Sequence, residues 1–300
     1  MSLLRAVPVM LLIAVSTLLH ATPLLLVALC KALLPVQAAR RACNRVLASI
    51  AESWIGVNSA MVDTFTGTRF QVSGDTALQA DGHYLVLANH QSWVDIIVLQ
   101  KVFNRRIPLL RFFLKRQLFW VPVLGLAWWA LDFPFMGRYT RREIAKNPEL
   151  GRRDMEATRR ACAKFKAMPV AVMNFVEGTR FTPDKHARQS SPYRHLLKPK
   201  SGGVAFVIDA MGDALHAVLD VTIAYPGGRP SMMDLIAGRI PEVRVMVRQH
   251  AIPTEVMGGR YEDDRTVRAR FQQRMNALWQ AKDEDLERLL ADSRGAANRT

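Results

Sequence analysis

The sequence predicts an α/β fold, a mixed and mostly parallel sheet flanked by helices, behind an apolar N-terminal helical segment that anchors the chain to a membrane. Three observations predict it. Residues 84–88, 170–176 and 218–224 are short, mostly apolar runs bounded by polar or turn residues, the pattern of buried strands. Helical patterns lie between them, notably over residues 92–103 and 152–167. Residues 6–36 are almost continuously apolar. The 300 residues divide into an anchor and amphipathic helix over 1–62, a central α/β domain over 63–250 and a helical extension over 251–300.

Taken in order, the N-terminal apolar segment is interrupted by Pro8, His20, Pro23, Lys31 and Pro35. As one helix it would run about 43 Å, more than the roughly 30 Å hydrocarbon core, and Pro23 divides it into two shorter pieces. It reads as a single tilted and kinked span, as a re-entrant or interfacial hairpin, or as a cleaved signal peptide with Arg5 in its charged region. Lys31, Arg40, Arg41 and Arg45 follow it, so the rest of the chain is expected on the cytoplasmic side. Val46, Ile50, Trp54 and Val57 then recur near helical spacing, marking a helix that docks on the domain or lies on the membrane. Phe70 and Val72 alternate with Arg69 and Gln71 as a half-buried first strand.

Residues 101–116 hold six basic residues and no acid, interleaved with Leu109, Leu110, Phe112, Phe113 and Leu114. Residues 118–131 are apolar and rich in tryptophan but broken by Pro122 and Gly125; they read as a membrane-interface segment or as a core helix. Residues 182–200 are polar and proline-containing, a long loop or a broken helix, and Gly202-Gly203 opens a helix at Val204. Residues 243–247 are expected as an edge strand. Residues 262–292 are expected as a charged helix that packs Val267, Phe271, Met275 and Leu278 and carries no chemistry.

The formal charge is +15, and no acid precedes Glu52, so an anionic partner is expected. The basic runs sit beside apolar, tryptophan-rich segments, which favours a lipid surface over nucleic acid. Cys30, Cys43 and Cys162 lack metal-ligand spacing and read as reduced and structural. The sequence has no Gly-x-Ser-x-Gly elbow, no Walker loop, no His-Glu-x-x-His and no Cys-x-x-Cys, so those chemistries lack their motifs.

Two blocks carry candidate chemistry. Asn89-His90-Gln91-Ser92-Trp93-Val94-Asp95 directly follows the first buried run, so His90 emerges at a strand's C-terminal end with Asp95 about one helical turn away. A carboxylate beside a histidine fixes its tautomer and steadies the imidazolium, the basic unit of general-base catalysis. Strand C-termini are also where open α/β sheets bind ligands. The run 170–176 ends in Glu177-Gly178-Thr179-Arg180-Phe181, where Gly178 permits a tight turn and Arg180 offers a planar fork for phosphate or carboxylate. Two strands delivering polar residues at their ends point to one shared site.

With these blocks the sequence resembles the glycerolipid acyltransferases, the family of the 1-acylglycerol-3-phosphate acyltransferases, which carry His-x4-Asp and then Glu-Gly-Thr-Arg. Residues 89–95 and 174–181 look most like its bacterial branch related to lysocardiolipin acyltransferases, and the likeness covers residues 65–250. The resemblance implies transfer of a fatty acyl group from acyl-CoA or acyl carrier protein to the sn-2 hydroxyl of a lysophospholipid, foremost 1-acyl-sn-glycerol-3-phosphate. Lysophosphatidylglycerol and lysocardiolipin are alternative acceptors, and a non-catalytic lipid-binding protein is the alternative reading. It implies His90 as general base, oriented by Asp95, with Glu177, Gly178, Thr179, Arg180, Arg138 and Lys115 binding substrate. Glu177 is expected to position Arg180 or a substrate hydroxyl, and amides of the loop after His90 to meet the oxyanion. Where the family carries Asp before the arginine at 138, this chain has Gly137, and Tyr225-Pro226 matches the family's fourth block, whose proline shapes the acyl-binding wall. No metal or prosthetic group is implied. The implied partners are the phospholipid bilayer, the lysophospholipid and the thioester donor, with no nucleic acid. The implied location is the inner (cytoplasmic) membrane, the catalytic domain facing the cytoplasm.

Overall fold

The computed structural model describes residues 2–297 apart from Thr76, Arg138, Thr140 and Ala167. Its strands are β1 (Arg69–Gly74), β2 (His83–Ala88), β3 (Leu110–Phe112), β4 (Leu114–Lys115), β5 (Phe135–Met136), β6 (Val170–Phe175), β7 (Ala217–Ala224) and β8 (Glu242–His250). Its helices are α1 (Ser2–Leu33), α2 (Gln37–Thr66), α3 (Val94–Phe103), α4 (Leu124–Ala130), α5 (Arg141–Lys146), α6 (Pro148–Lys166), α7 (Pro183–Gln189), α8 (Ser201–Met211), α9 (Met232–Ile236), α10 (Arg260–Asp263) and α11 (Arg265–Ala297).

Six strands form one sheet in the order β1-β8-β7-β2-β6-β3. Its neighbouring strands are parallel except β7 and β8, which run antiparallel. β4 and β5 pair in parallel as a separate ladder. The central strands are mostly apolar because helices cover both faces, with Asn174 in β6 and Asp220 and Thr222 in β7 as exceptions. On one face Tyr84, Val86, Ala88, Met173 and Val221 pack with Ile55 of α2 and Val98 of α3. On the other, Leu85, Leu87 and Val172 pack with Phe165 of α6, Ile208 of α8 and Trp279 of α11. β2, β6 and β7 are adjacent and point the same way, so their C-terminal ends open on one edge of the sheet.

α1 is one helix rather than two pieces. Pro23 removes a ladder bond, but contacts with α2 hold the helix on both sides of it. The Trp54 indole donates to Thr17 Oγ1 at 3.2 Å, His20 Nε2 lies 3.2 Å from Ser53 Oγ, and Leu24 is buried. These pairings run antiparallel, so α1 and α2 form a hairpin; α2 continues past residue 62 to Thr66. Leu18, Leu19, Leu26 and Leu29 remain more than half exposed. The stretch Ala6–Leu33, with mean hydropathy 2.1, is long and apolar enough to cross a membrane.

The tryptophan-rich segment is neither wholly core nor wholly surface. A 3-10 turn, Arg116–Trp120, is followed by a break at Pro122 and Val123, where φ is 64°. A Cβ at Gly125 would lie 1.9 Å from the Phe119 carbonyl oxygen, so only glycine lets α4 start there. Ala127 and Ala130 are buried, whereas Trp120, Leu126 and Trp129 face outward. Within the neighbouring basic run Arg111 is not a surface cation. It is buried, donates from Nε to the Leu131 carbonyl at 3.1 Å, and burial pushes its guanidinium down to about 10.

Two expectations are corrected. β8 is no edge strand: it lies between β7 and β1, and β1 is the largely exposed edge. The helix α11 is more than a packing tail, since Trp279, Lys282 and Asp285 are all fully buried. Lys282 Nζ lies 2.7 Å from Asp220 Oδ1 and donates to the Val221 carbonyl at 2.7 Å; Arg248 pairs with Asp285 at 2.8 Å. Buried charges persist only with such partners.

Candidate active site

β2 leaves the sheet through Asn89, which sits fully buried with its carboxamide bonded to both the N–H and the C=O of Ile223, each at 2.9 Å. That side chain continues the pairing with β7 and fixes where His90 emerges. His90 Nδ1 lies 2.8 Å from Asp95 Oδ2. Asp95 is fully buried in the first turn of α3, and its oxygens are satisfied. The Gln91 and Ser92 amides donate to Oδ2 at 2.6 and 2.9 Å, and the Tyr225 hydroxyl donates to Oδ1 at 2.6 Å. Burial and the nearby Asp95 charge push the Tyr225 phenol well up, so it stays a donor. With Nδ1–H directed at Asp95, Nε2 keeps its lone pair. The imidazole lies flat on Phe175, ring centroids 3.8 Å apart.

The second block straps the first. Gly178 takes φ 70°, a left-handed conformation open to glycine, and its N–H closes a turn on the Phe175 carbonyl at 2.8 Å. The turn sends Glu177 inward, where it is fully buried. One carboxyl oxygen accepts from the His90 N–H and the other from the Leu197 N–H, both at 3.1 Å. Burial pushes the Glu177 carboxyl up to about 8 against the pull of those donors. Glu177 thus braces the backbone of His90 and of Leu197. Phe181 N–H donates to the His90 carbonyl at 2.8 Å. Both backbone polar groups of His90 are therefore held by the Glu-Gly-Thr-Arg-Phe block.

The remaining expected residues divide. Thr179 Oγ1 accepts from Lys185 Nζ at 2.7 Å, and the same ammonium holds the Arg180 carbonyl at 2.9 Å. The Arg180 side chain is exposed, its guanidinium 4.8 Å over the ring of Trp93. Lys115 is exposed on β4, in register with Met136 of β5. Arg138 lies outside the described residues. Of the amides in the loop after His90, Gln91 and Ser92 serve Asp95, and Val94 N–H donates to Ser92 Oγ at 3.1 Å. Among the described residues no cluster of three or more His, Cys, Asp or Glu side chains is arranged to hold a metal ion.

Tyr225, Asn89 and Phe175 are not among the site residues expected from sequence. Asn89 and Phe175 adjoin the two blocks at strand ends, and Tyr225 follows β7 in the stretch that matches the family's fourth block.

Both blocks fall inside residues 69–226, the stretch that matches the acyltransferase family model and a little over half the chain. The chain belongs to the acyltransferase family. Lysocardiolipin acyltransferase 1 of Danio rerio is 26% identical over 253 residues, which cover 80% of this acyltransferase chain and 60% of the relative. The 1-acyl-sn-glycerol-3-phosphate acyltransferase epsilon of Mus musculus is 26% identical over 221 residues, covering 64% and 57% respectively. The chain thus spans about 60% of the length of the curated relatives it matches. The 1-acyl-sn-glycerophosphate (LPA) acyltransferase PlsC from Thermotoga maritima shares the fold, with a TM-score of 0.55 at 17% identity over 96% of this chain and 98% of that one.

Proposed function

We propose that this acyltransferase moves a fatty acyl group from an acyl thioester to the free sn-2 hydroxyl of a lysophospholipid, foremost 1-acyl-sn-glycerol-3-phosphate, giving phosphatidate. The observation that carries the reading is the His90–Asp95 contact at 2.8 Å, at the open strand ends and near the exposed guanidinium of Arg180. An alcohol is a poor nucleophile at neutral pH. His90 Nε2 takes its proton as the oxygen attacks the thioester carbonyl carbon. The tetrahedral oxyanion collapses with cleavage of the C–S bond, and the departing thiolate takes the proton back from the imidazolium. Asp95 steadies that imidazolium, and a base so placed contributes roughly 10²–10⁴-fold. Glu177 and Phe181 fix the backbone from which His90 projects.

Gly178 and Thr179 form the turn that presents Arg180, which with Arg138 and Lys115 holds the acceptor phosphate. A guanidinium suits that group because two parallel N–H donors match two phosphate oxygens. Coenzyme A or acyl carrier protein carries the acyl group, and the step as written uses no prosthetic group. The leucine face of α1 contacts the inner membrane, with the catalytic domain on its cytoplasmic side. Trp120, Leu126 and Trp129 belong to the same surface, because Lys31 at the end of α1 bonds Asp132, just past α4, at 2.7 Å. Relatives named as lysocardiolipin acyltransferases support a second reading, in which the acceptor is a lysophosphatidylglycerol or lysocardiolipin.

The test is purified full-length protein offered a panel of lysophospholipids with acyl-CoA and acyl carrier protein donors, products read by mass spectrometry. The expected product is phosphatidate from lysophosphatidate, lost in His90→Ala. Retention of more than a tenth of the wild-type kcat by His90→Ala would overturn the general-base role.

A further inference from the structure

One cation at the rim of the site has no assigned work. Arg229 follows β7, and several tethers fix its turn against the loop that carries His90. The Gly228 N–H donates to the Tyr225 carbonyl at 3.0 Å, and Gly228 takes φ 93° at this reversal. Tyr225 is itself bonded to Asp95. On the other side of Arg229, Ser92 Oγ donates to the Pro230 carbonyl at 2.6 Å, and Ser231 caps α9 in a reciprocal capping box with Asp234. The guanidinium is delivered 4.8 Å over the ring of Phe181, whose N–H is bonded to the His90 carbonyl.

An aromatic face positions a guanidinium without neutralising it. Nearby Arg239 is paired with Asp234, but among the described residues no carboxylate pairs with Arg229. Its donors therefore remain available at the edge of the reaction centre. Arg180 rests on a different ring, that of Trp93, so the site offers two separately mounted guanidinium groups. A lysophosphatidate carries a single phosphate.

We infer that Arg229 is a second anion subsite of this site, taking a phosphate group other than the one held by Arg180. The inference rests on the acyl-transfer reading above. The second phosphate belongs either to the donor, as the diphosphate or phosphopantetheine phosphate of its carrier, or to the acceptor, as a second phosphodiester.

The experiment compares wild type, Arg229→Ala and Arg229→Lys as full-length proteins on three substrate pairs. These are lysophosphatidate with acyl-CoA, lysophosphatidate with a phosphate-free acyl-N-acetylcysteamine thioester, and monolysocardiolipin with that same thioester. Where the subsite is occupied, Arg229→Ala should lower kcat/KM by about tenfold or more, the scale of a hydrogen bond to a charged group; Arg229→Lys should retain more. A loss with acyl-CoA that disappears with the phosphate-free thioester assigns the subsite to the donor. A loss on monolysocardiolipin that exceeds the loss on lysophosphatidate, both with the phosphate-free thioester, assigns it to the acceptor. Equal effects on all three pairs, or none, overturn the inference. Wild-type protein that is inactive on every pair overturns the acyl-transfer reading and this inference with it.

Discussion

The Tyr225 hydroxyl donates to Asp95 Oδ1 at 2.6 Å, joining residues 130 positions apart in sequence. Asp95 holds His90 through its other oxygen. The His90 site is thereby built from three neighbouring strand ends: β2 supplies His90, β7 supplies Tyr225, and β6 supplies the Glu177 and Phe181 straps. A two-residue description of the site omits half of what fixes its geometry.

Tyr225→Phe keeps the ring and deletes the donor, leaving one oxygen of a buried carboxylate unsatisfied. Removing a hydrogen bond to a charged group should lower the unfolding free energy by about 1.5–3 kcal/mol. It should also lower kcat, because Asp95 is then free to reorient away from His90. Urea unfolding and steady-state kinetics on the same preparation measure both. Unchanged values in both would show that the backbone amides hold Asp95 unaided.

Glu177 gives a pH signature. Burial, with a smaller push from Asp95, raises its carboxyl from 4.5 to about 8, the two amide donors and Lys282 opposing. A group whose folded value is raised binds its proton more tightly in the folded chain. Its contribution to stability is complete below the unfolded value and is lost as pH rises through the folded one. Glu177→Gln cannot ionise, so the decline in unfolding free energy between those limits should flatten, by at most roughly 5 kcal/mol. Urea titrations at several pH values compare the two proteins, and parallel pH profiles would exclude a buried, proton-retaining Glu177.

The strands β2, β6 and β7 were legible because strands covered on both faces read as predominantly apolar runs, here interrupted by Asn174 in β6 and Asp220 and Thr222 in β7. β8 misled because Arg244 and Arg248 look like the solvent half of an edge strand. Arg244 is buried against Glu242 at 3.0 Å, two residues away, and donates to the distant Leu289 carbonyl at 2.7 Å, while Arg248 is answered by the distant Asp285. Lys282 hid in the same way, its partner Asp220 lying in β7. The role of Glu177 beneath His90 was not legible, because it depends on the left-handed turn at Gly178, which nearness to Arg180 in sequence does not reveal. Periodicity records which faces are covered; it does not record which buried charges meet.

The exposed leucines of α1 make the membrane reading testable without deleting the helix. Leu18, Leu26 and Leu29 project outward, so Leu18→Ser, Leu26→Ser and Leu29→Ser combined should leave the α1–α2 packing intact. Each leucine buried in lipid is worth about 1.5–3 kcal/mol, so binding to phospholipid vesicles should fall by at least about tenfold. Flotation of the triple variant with vesicles, beside a circular dichroism spectrum for the fold, reads this out. Undiminished flotation would place the membrane contact elsewhere on the surface.

Arg180 is exposed over Trp93 and, among the described residues, has no carboxylate partner, which suits a side chain that waits for an anion. If it grips the acceptor phosphate with two parallel N–H bonds, Arg180→Lys keeps the charge but loses the fork, and activity should not return. Because the side chain is solvated before substrate arrives, the loss should be about 1.5–3 kcal/mol, or roughly 10- to 150-fold in kcat/KM. A monoacylglycerol, which has the hydroxyl and no phosphate, never uses the contact. Its slower reaction should therefore be nearly indifferent to the substitution. An arginine that only braces the loop through Trp93 would depress both acceptors alike and lower the melting temperature. Measuring kcat/KM of Arg180→Lys on a lysophosphatidate and on its phosphate-free analogue separates the two roles, and equal fold-losses on both would remove Arg180 from the phosphate site.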